Sequence, residues 1–569
     1  MKIQIEALRA RQAQTQREAE LHTENLKLQS EALRAQQKLA KARHAHEHTQ
    51  RLHDRIRTVY QSVLSLGALL ILAIIAYGFY SAATDHSVVV NQFQVPPAFA
   101  AAGNSGTVVA SDFLDQLQIL QTATHSIRAS RALQDAWSNN IRLQVPDVHV
   151  SLGDISRTLH AWLGHEIQIH GNVVQQGTQI ALTVRGIGFS AMTFTGAPDS
   201  LPTLIKQAAE YVYGRAEPYL FVAYLAQHDR YTEARDVVKT AYLTASATDK
   251  PWFLDAWGST LNGLNQYAAA AGKYREAIRL NPHFWLAYSN LTNIEMQLGE
   301  EEAAYRTGIN MEQIAHRGSW FAARVPEMYY RHLGDLQMDL PAVHRAYLAD
   351  EAAHGGVGAI GTDPVHDAGV LVGMHADRQA SLILQTMPSL DSNHFIAAED
   401  TDSVQGFMAM DQQNYQQAAS DYEAEQALIA KYAASDPFNG TDAALLALAD
   451  ELSGHPDKAD AVMATCGHFV DCYRFKADIV DHRGNWTQAQ QDYQAAVNLA
   501  PSLPMAYESW GEALAHHGDY KDAIVKFEAA HQRGPHWCDP LKYWGDALAA
   551  EGNYRAAIGK YAEAAQYTP

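Results

Sequence analysis

Six positions recur every 34 residues in the last third of this chain, and that periodicity restricts the fold more than any other feature. The sets are Gly484, Gly518 and Gly552; Trp486, Tyr520 and Tyr554; Ala489, Ala523 and Ala557; Tyr493, Phe527 and Tyr561; Ala496, Ala530 and Ala564; and Pro501, Pro535 and Pro569. A unit of that length has room for two short helices and a turn. The residue types suit such a hairpin. Small residues, Gly511 and Gly545 among them, let two helices approach closely, large aromatics fill the gap between neighbouring units, and proline ends the second helix. One hairpin cannot bury its own apolar face, so units must stack.

On these residues the pattern resembles the tetratricopeptide repeat (TPR). A second cluster fits the same unit: Trp257, Gly258, Tyr267, Ala270, Tyr274, Ala277 and Pro282, then Leu291, Gly299, Ala304 and Met311. Tyr231, Ala234 and Ala241 suggest an earlier, degenerate unit, and Gly406, Tyr415, Ala418 and Tyr422 mark another. Seven to nine repeats are expected, in one block over 218–318 and a second over 401–569. Residues 319–400 read as an irregular helical region. The fold class is therefore mostly α, with a solenoid of helical hairpins.

The N-terminal part is of another kind. Residues 1–58 carry net charge +5 within a chain of −20, so the rest carries −25. The sign changes at Val59–Tyr80, 22 residues without a charged side chain. At 1.5 Å per residue such a helix spans the ~30 Å hydrocarbon core. Tyr60, Tyr77 and Tyr80 suit the interfacial belts. Arg34, Lys38, Lys41, Arg43, Arg51, Arg55 and Arg57 precede the run, and no Lys or Arg follows it until Arg128. The positive-inside rule then expects an uncleaved signal anchor, with the N-terminus cytoplasmic and 81–569 outside, in a bacterium the periplasm.

The arm at 1–58 has no Gly or Pro and favours helix. Leu21, Leu28, Ala35 and Ala42 lie seven apart, which makes it a candidate coiled coil, although Asn25 and His46 interrupt the seam. The alternative is a basic helix near anionic headgroups. His44, His46, His48 and His53 cluster there, but two ligands on a lone helix make a poor metal site.

Residues 86–217 read as an α+β module. Strands are expected at 87–95, 141–145, 166–174, 179–185 and 191–195, and helices at 106–127, 152–163 and 201–213. The stretches 93–118 and 150–171 resemble the membrane-proximal module of proteobacterial TPR proteins. That resemblance implies a bacterial inner-membrane protein and carries no activity. Trp162 reads as core, and His165 and His170 as surface or turn residues.

In the TPR family the first helix of each unit lines a groove. The resemblance places these groove positions at Asp471, Arg474, Asp478, Asp481 and His482, at Met505, Glu508, Glu512 and His516, and at Asp539, Lys542 and Asp546. Seven carboxylates then face two strong bases, unlike the Lys- and Asn-rich grooves that clamp terminal carboxylates. An acidic groove prefers a basic peptide or protein surface.

Other motifs exclude more than they offer. His354–Gly361 contains a GxGxxG string, but helix-like residues precede it and Thr362-Asp363-Pro364 follows, so no dinucleotide or phosphate site is expected. No HExxH, GxSxG or paired CxxC occurs, so neither catalytic nor metal residues nor a cofactor are expected. Net charge −20 argues against nucleic acid as a partner. Three cysteines exclude a disulfide-built scaffold, although Cys466 and Cys472 are close enough to pair in an oxidising compartment, clipping one repeat to the next. The reading is a non-enzymatic membrane-tethered scaffold that binds protein partners in the periplasm, contacts lipid through 59–80, and self-associates through its arm if that arm coils. The alternative is a signalling subunit. Its layout resembles bacterial regulators with periplasmic TPRs, the cytoplasmic effector being replaced by a helix.

Overall fold

In a computed structural model of the chain, residues 57–70, 87–135, 166–314, 364–386, 395–432 and 440–567 are described, apart from 125, 127, 129 and 187. Scattered helical positions between 11 and 41, residues 72, 73, 76 and 80, and residues 333, 334 and 336 are described as well. The heptad positions Leu21, Leu28, Ala35 and Ala42, the histidines at 44–53, the expected strand at 141–145 and helix at 152–163, and the glycine string at 355–361 lie outside the described residues. Residues 57–70 are helical and exposed. Among the described residues no helix is long and apolar enough to cross a membrane.

The chain divides into two compact units. The first comprises residues 1–111, 131–174 and 183–192, and the second 112–130, 175–182 and 193–569. The sheet consists of β1 (Val88–Val90), β2 (Leu133–Asp135), β3 (Ile167–Gln176), β4 (Gln179–Gly186) and β5 (Phe189–Gly196), in the order β2-β1-β3-β4-β5. β1 lies between β2 and β3, parallel to both, with Val88 opposite Leu133 and Ile167. Three consecutive valines suit a short strand buried on both faces. Helices α1 (Pro97–Ala101) and α2 (Gly106–Thr122) follow β1. The first unit's core includes Val88, Val90, Phe93, Val109, Ile169, Val173 and Val184.

In the second unit α3 (Leu201–Ala216) leads into an array of hairpins. They are α4–α5 (Pro218–Gln227, Tyr231–Thr244), α6–α7 (Lys250–Gly263, Tyr267–Leu280), α8–α9 (Trp285–Gln297, Glu301–Ile314) and α10–α11 (Pro364–Gly373, Asp377–Thr386). Then come α12–α13 (Phe395–Asp411, Tyr415–Tyr432), α14–α15 (Gly440–Leu452, Pro456–Met463), α16–α17 (Val470–His482, Trp486–Leu499), α18–α19 (Met505–His516, Tyr520–Arg533) and α20–α21 (Cys538–Ala550, Tyr554–Ala564). The arrangement is a TPR-like helical repeat. The hairpin α10–α11 stands inside 319–400, which the sequence pattern left irregular. It packs through Ala368, Leu371, Val372 and Ala380 rather than through a glycine and an aromatic.

The repeat signature has a direct physical reading. Gly484, Gly518 and Gly552 sit at φ +84°, +79° and +80°, where the first helix must turn back and a side chain would be strained. Gly511 and Gly545 form notches: a Cβ there would lie 2.7 Å from the Phe527 ring and 2.5 Å from the Tyr561 ring. The aromatic therefore seats within its own hairpin. Tyr493 also stacks on Trp510 of the next one, with centroids 6.2 Å apart, so the same residue type joins neighbours.

The two blocks touch. The Glu301 carboxylate, at the start of α9, accepts from the Val470 N–H at 2.8 Å, and Glu302 accepts from the Ser502 N–H at 2.9 Å and from its hydroxyl at 2.7 Å. Tyr305 joins the apolar cluster of Val470, Ala496, Leu503 and Ala506. Helix N-termini carry partial positive charge and orphan N–H groups, so carboxylates are favoured there.

Gly511→Ala tests the notch. It should destabilise the chain by ~1–3 kcal/mol, because the buried Phe527 ring must move. Gly559→Ala, also inside a helix but with nothing within 4 Å of its Cβ, should stabilise by about 0.5–1 kcal/mol in the same denaturation series.

Candidate functional site

The inner helices α16, α18 and α20 carry the candidate residues in rows spaced by 34, and successive inner helices neighbour one another. The row of 471, 505 and 539 lies at the helix starts. Asp471 accepts from Arg474 Nε at 3.0 Å and from Thr441 Oγ1 at 2.8 Å. Met505 packs in the cluster that contains Tyr305. Asp539 accepts from Trp537 Nε1 at 3.2 Å and from His375 Nε2 at 3.0 Å. His375 also reaches Asp411 through Nδ1 at 3.2 Å. The chain's own residues thus meet both acids of this row, Thr441 of α14 and Arg474 at Asp471 and His375 of the α10–α11 turn at Asp539.

The next row alternates in sign: Arg474, Glu508, Lys542. Arg474 donates to the Ser509 hydroxyl at 3.0 Å, which in turn donates to Glu508 at 3.1 Å. Glu508 is 6% exposed, while the Lys542 side chain is 56% exposed and lies 4.0 Å from Asp546.

The third row is Asp478, Glu512 and Asp546. The residue fifteen positions on, in the outer helix, decides what each does. Tyr493 donates its hydroxyl to Asp478, and Tyr561 donates to Asp546 at 2.7 Å. Ser259 and Tyr274 pair at 3.1 Å in the same relation in the first block. Glu512 is the exception, because its counterpart is Phe527, which has no hydroxyl. Among the described residues Glu512 makes no hydrogen bond or ion pair. Beyond this row, Asp481 accepts from His517 at 2.7 Å, His482 meets Glu451 at 3.2 Å, and His516 is exposed. Of the seven groove carboxylates, Asp478, Glu508 and Glu512 have no cation in direct contact; Tyr493 answers Asp478 and Ser509 answers Glu508, which leaves Glu512 without a hydrogen bond.

Burial dominates the titration of these groups. It raises Asp478 to about 6 against the Tyr493 hydrogen bond and the Arg474 charge. It holds Glu508 well above the usual carboxylate range, with Glu512 and Asp539 adding to the effect, and it raises Glu512. Elsewhere it pushes Asp255 up to about 7 and Glu301 to about 8. The Asp539 hydrogen bond, with Asp411 beyond it, raises His375 to about 9.

A further recurring contact went unread in the sequence. Lys273 sits 4.2 Å from the Trp257 ring centre, Lys526 3.2 Å from Trp510 and Lys560 3.8 Å from Trp544. Each lysine follows its tryptophan by sixteen residues. In α16–α17 the same place holds a Lys476–Asp492 ion pair at 3.1 Å. Each pair joins the inner helix of a hairpin to its outer one. The recurrence of Trp510 with Trp544 and of Lys526 with Lys560 at the repeat period was the available signal.

No family model matches the chain, and no curated protein matches it. Two solved structures similar to parts of it are a chain of the APC/C hetero-tetramer Cut9–Hcn1 and yeast Tom70. The first has 13% identity and TM-score 0.42, covering 62% of this chain and 74% of that one. The second has 11% identity and TM-score 0.28, covering 60% and 90%.

The raised carboxyls fix the sign of the pH dependence. Each binds a proton more tightly folded than unfolded, so its contribution is lost as pH rises from about 4 through the folded values near 6 to 8. His375 acts in the same sense, with its contribution complete below about 6.5 and lost through about 9. His531, lowered by burial, opposes them. Thermal melts should give a Tm roughly 3 °C or more higher at pH 6 than at pH 8.5. An unchanged or reversed order would contradict these environments.

Proposed function

We propose that this chain is a non-enzymatic scaffold, tethered to a bacterial inner membrane by residues 59–80, whose last three hairpins bind a protein partner on the periplasmic side. The observation that carries the reading is the Glu508–Glu512 pair. The other groove carboxylates are answered within the chain, by Arg474, Thr441, Tyr493, His517, His375, Trp537 and Tyr561. Glu512 lacks such a partner because Phe527 replaces tyrosine. A Lys or Arg side chain from a basic peptide or surface complements this pair, with the exposed Lys542 and His516 at its margin setting the register. Stacked inner helices offer the extended surface that hairpin arrays use for binding.

Two observations support the location. The uncharged run at 59–80 has basic residues on one flank alone. The Cys466–Cys472 disulfide belongs to an oxidising compartment.

Crosslinked capture from native membranes tests the reading. Glu512→Lys leaves the intrachain hydrogen bonds of the groove in place, so it removes charge complementarity without removing a structural contact. The wild type should recover one basic partner that the variant loses by at least ~10-fold. In the same preparation the protein should stay in the membrane pellet after an alkaline carbonate wash. Equal recovery with both chains would defeat the groove, and release by carbonate would defeat the tether.

A further inference from the structure

The disulfide sits at the contact between the two repeat blocks. Cys466 follows α15 and Cys472 lies in the first turn of α16, so the bond closes the linker 467–471 into a short loop. Both cysteines are buried, in the cluster of Ala443, Ala444, Leu446 and Phe475. That linker receives the first block. Its His468 carbonyl lies against Gly299, where an added Cβ would be 2.4 Å from the oxygen. Its end, Val470, gives its N–H to Glu301 at 2.8 Å. Val470 and Glu301 are 3% and 7% exposed, so water does not substitute readily for that bond.

Phe469, the residue before α16, supplies no side-chain cap, and Glu301, 169 positions upstream, does so instead. The linker's other holds are local: His468 Nδ1 meets the Tyr473 hydroxyl at 3.0 Å, and Arg474 donates to Asp471 at 3.0 Å. Gly467 adopts φ +91°, a conformation glycine leaves freely, and the Phe469 ring rests against Gly440. Thr441 fixes Asp471 at its end. A closed loop restricts the open states of such a linker, whereas an open one regains them.

We propose that the Cys466–Cys472 bond is a redox latch: formed, it holds the linker where Glu301 and Gly299 dock, and reduced, it releases the first block from α16. The reaction is an ordinary exchange. A dithiol gives two electrons and two protons, the sulfur–sulfur bond breaks to two thiols, and the dithiol becomes a disulfide. The contact released is within this chain, so the inference stands whether or not the groove binds a basic partner. In a cell such a latch would report the thiol poise of the compartment through the relation between the two blocks.

Hydrogen exchange on the full chain, oxidised and after reduction by a dithiol, tests it. Reduction should speed exchange at the Val470 amide and across 299–311 by roughly 50-fold, the scale of a short-loop disulfide. Residues 505–564 should be unaffected, helicity should be unchanged by circular dichroism, and reoxidation should restore protection. Glu301→Ala should free the Val470 amide with the disulfide intact, after which reduction should add little there. Protection that is equal in both redox states overturns the proposal. So does melting of 505–564 on reduction, because the bond would then be a general staple rather than a latch.

Discussion

The repeat rests on one steric fit, an aromatic ring of the outer helix lying where an inner-helix side chain is missing. Gly258, Gly406, Gly511 and Gly545 stand opposite Tyr274, Tyr422, Phe527 and Tyr561, each with a ring within 3 Å of where a Cβ would be. This fit sets how closely the two helices approach. It fixes which residue lies beside the ring hydroxyl, and hence which inner-helix position can satisfy it. The third groove row inherits its chemistry from that choice. Tyrosine commits Asp478 and Asp546 to the hairpin, and phenylalanine at 527 leaves Glu512 uncommitted. A packing rule thereby decides which acid of the row lacks a hydroxyl partner.

The second constraint is electrostatic. The chain carries −20 net charge, yet several of its carboxyls are buried. Three of them have a local answer: Asn290 donates to Asp255 at 2.9 Å, Val470 to Glu301, and Tyr493 to Asp478. Glu301 does more, since it places acid on the start of α16, whose first N–H would otherwise be unmet, and Glu302 fixes Ser502 in the turn before α18. The junction of the two blocks is in effect a capping interaction made over long range. Tyr305 and Met505 pack into one cluster there, and His375 from the α10–α11 turn meets Asp539.

What was legible in the sequence follows from range. Gly484, Gly518 and Gly552 show because a turn needs positive φ at one place per unit, and Gly511 and Gly545 show because the fit repeats with the same period. The inner-helix positions of the groove followed from that register. Their partners did not, although Tyr493 and Tyr561 lie a constant fifteen residues after Asp478 and Asp546. Contacts between distant segments had no local sign. Glu301 reads as an ordinary acid in the first turn of its own helix, and nothing near it indicates Val470. The hairpin at 364–386 was hidden because alanines perform its close packing, leaving no glycine–aromatic pair to recognise. β2 has three residues and no alternation to detect.

The central claim is that the inner face at Glu512 is the surface that meets a partner. Photo-crosslinking from single positions in native membranes tests it most directly. One probe replaces Glu512 on α18, and a control replaces Val525, which is 56% exposed on α19. The account predicts one discrete adduct from position 512 and none of that size from position 525. The same adducts from both positions, or an adduct from 525 alone, would contradict it.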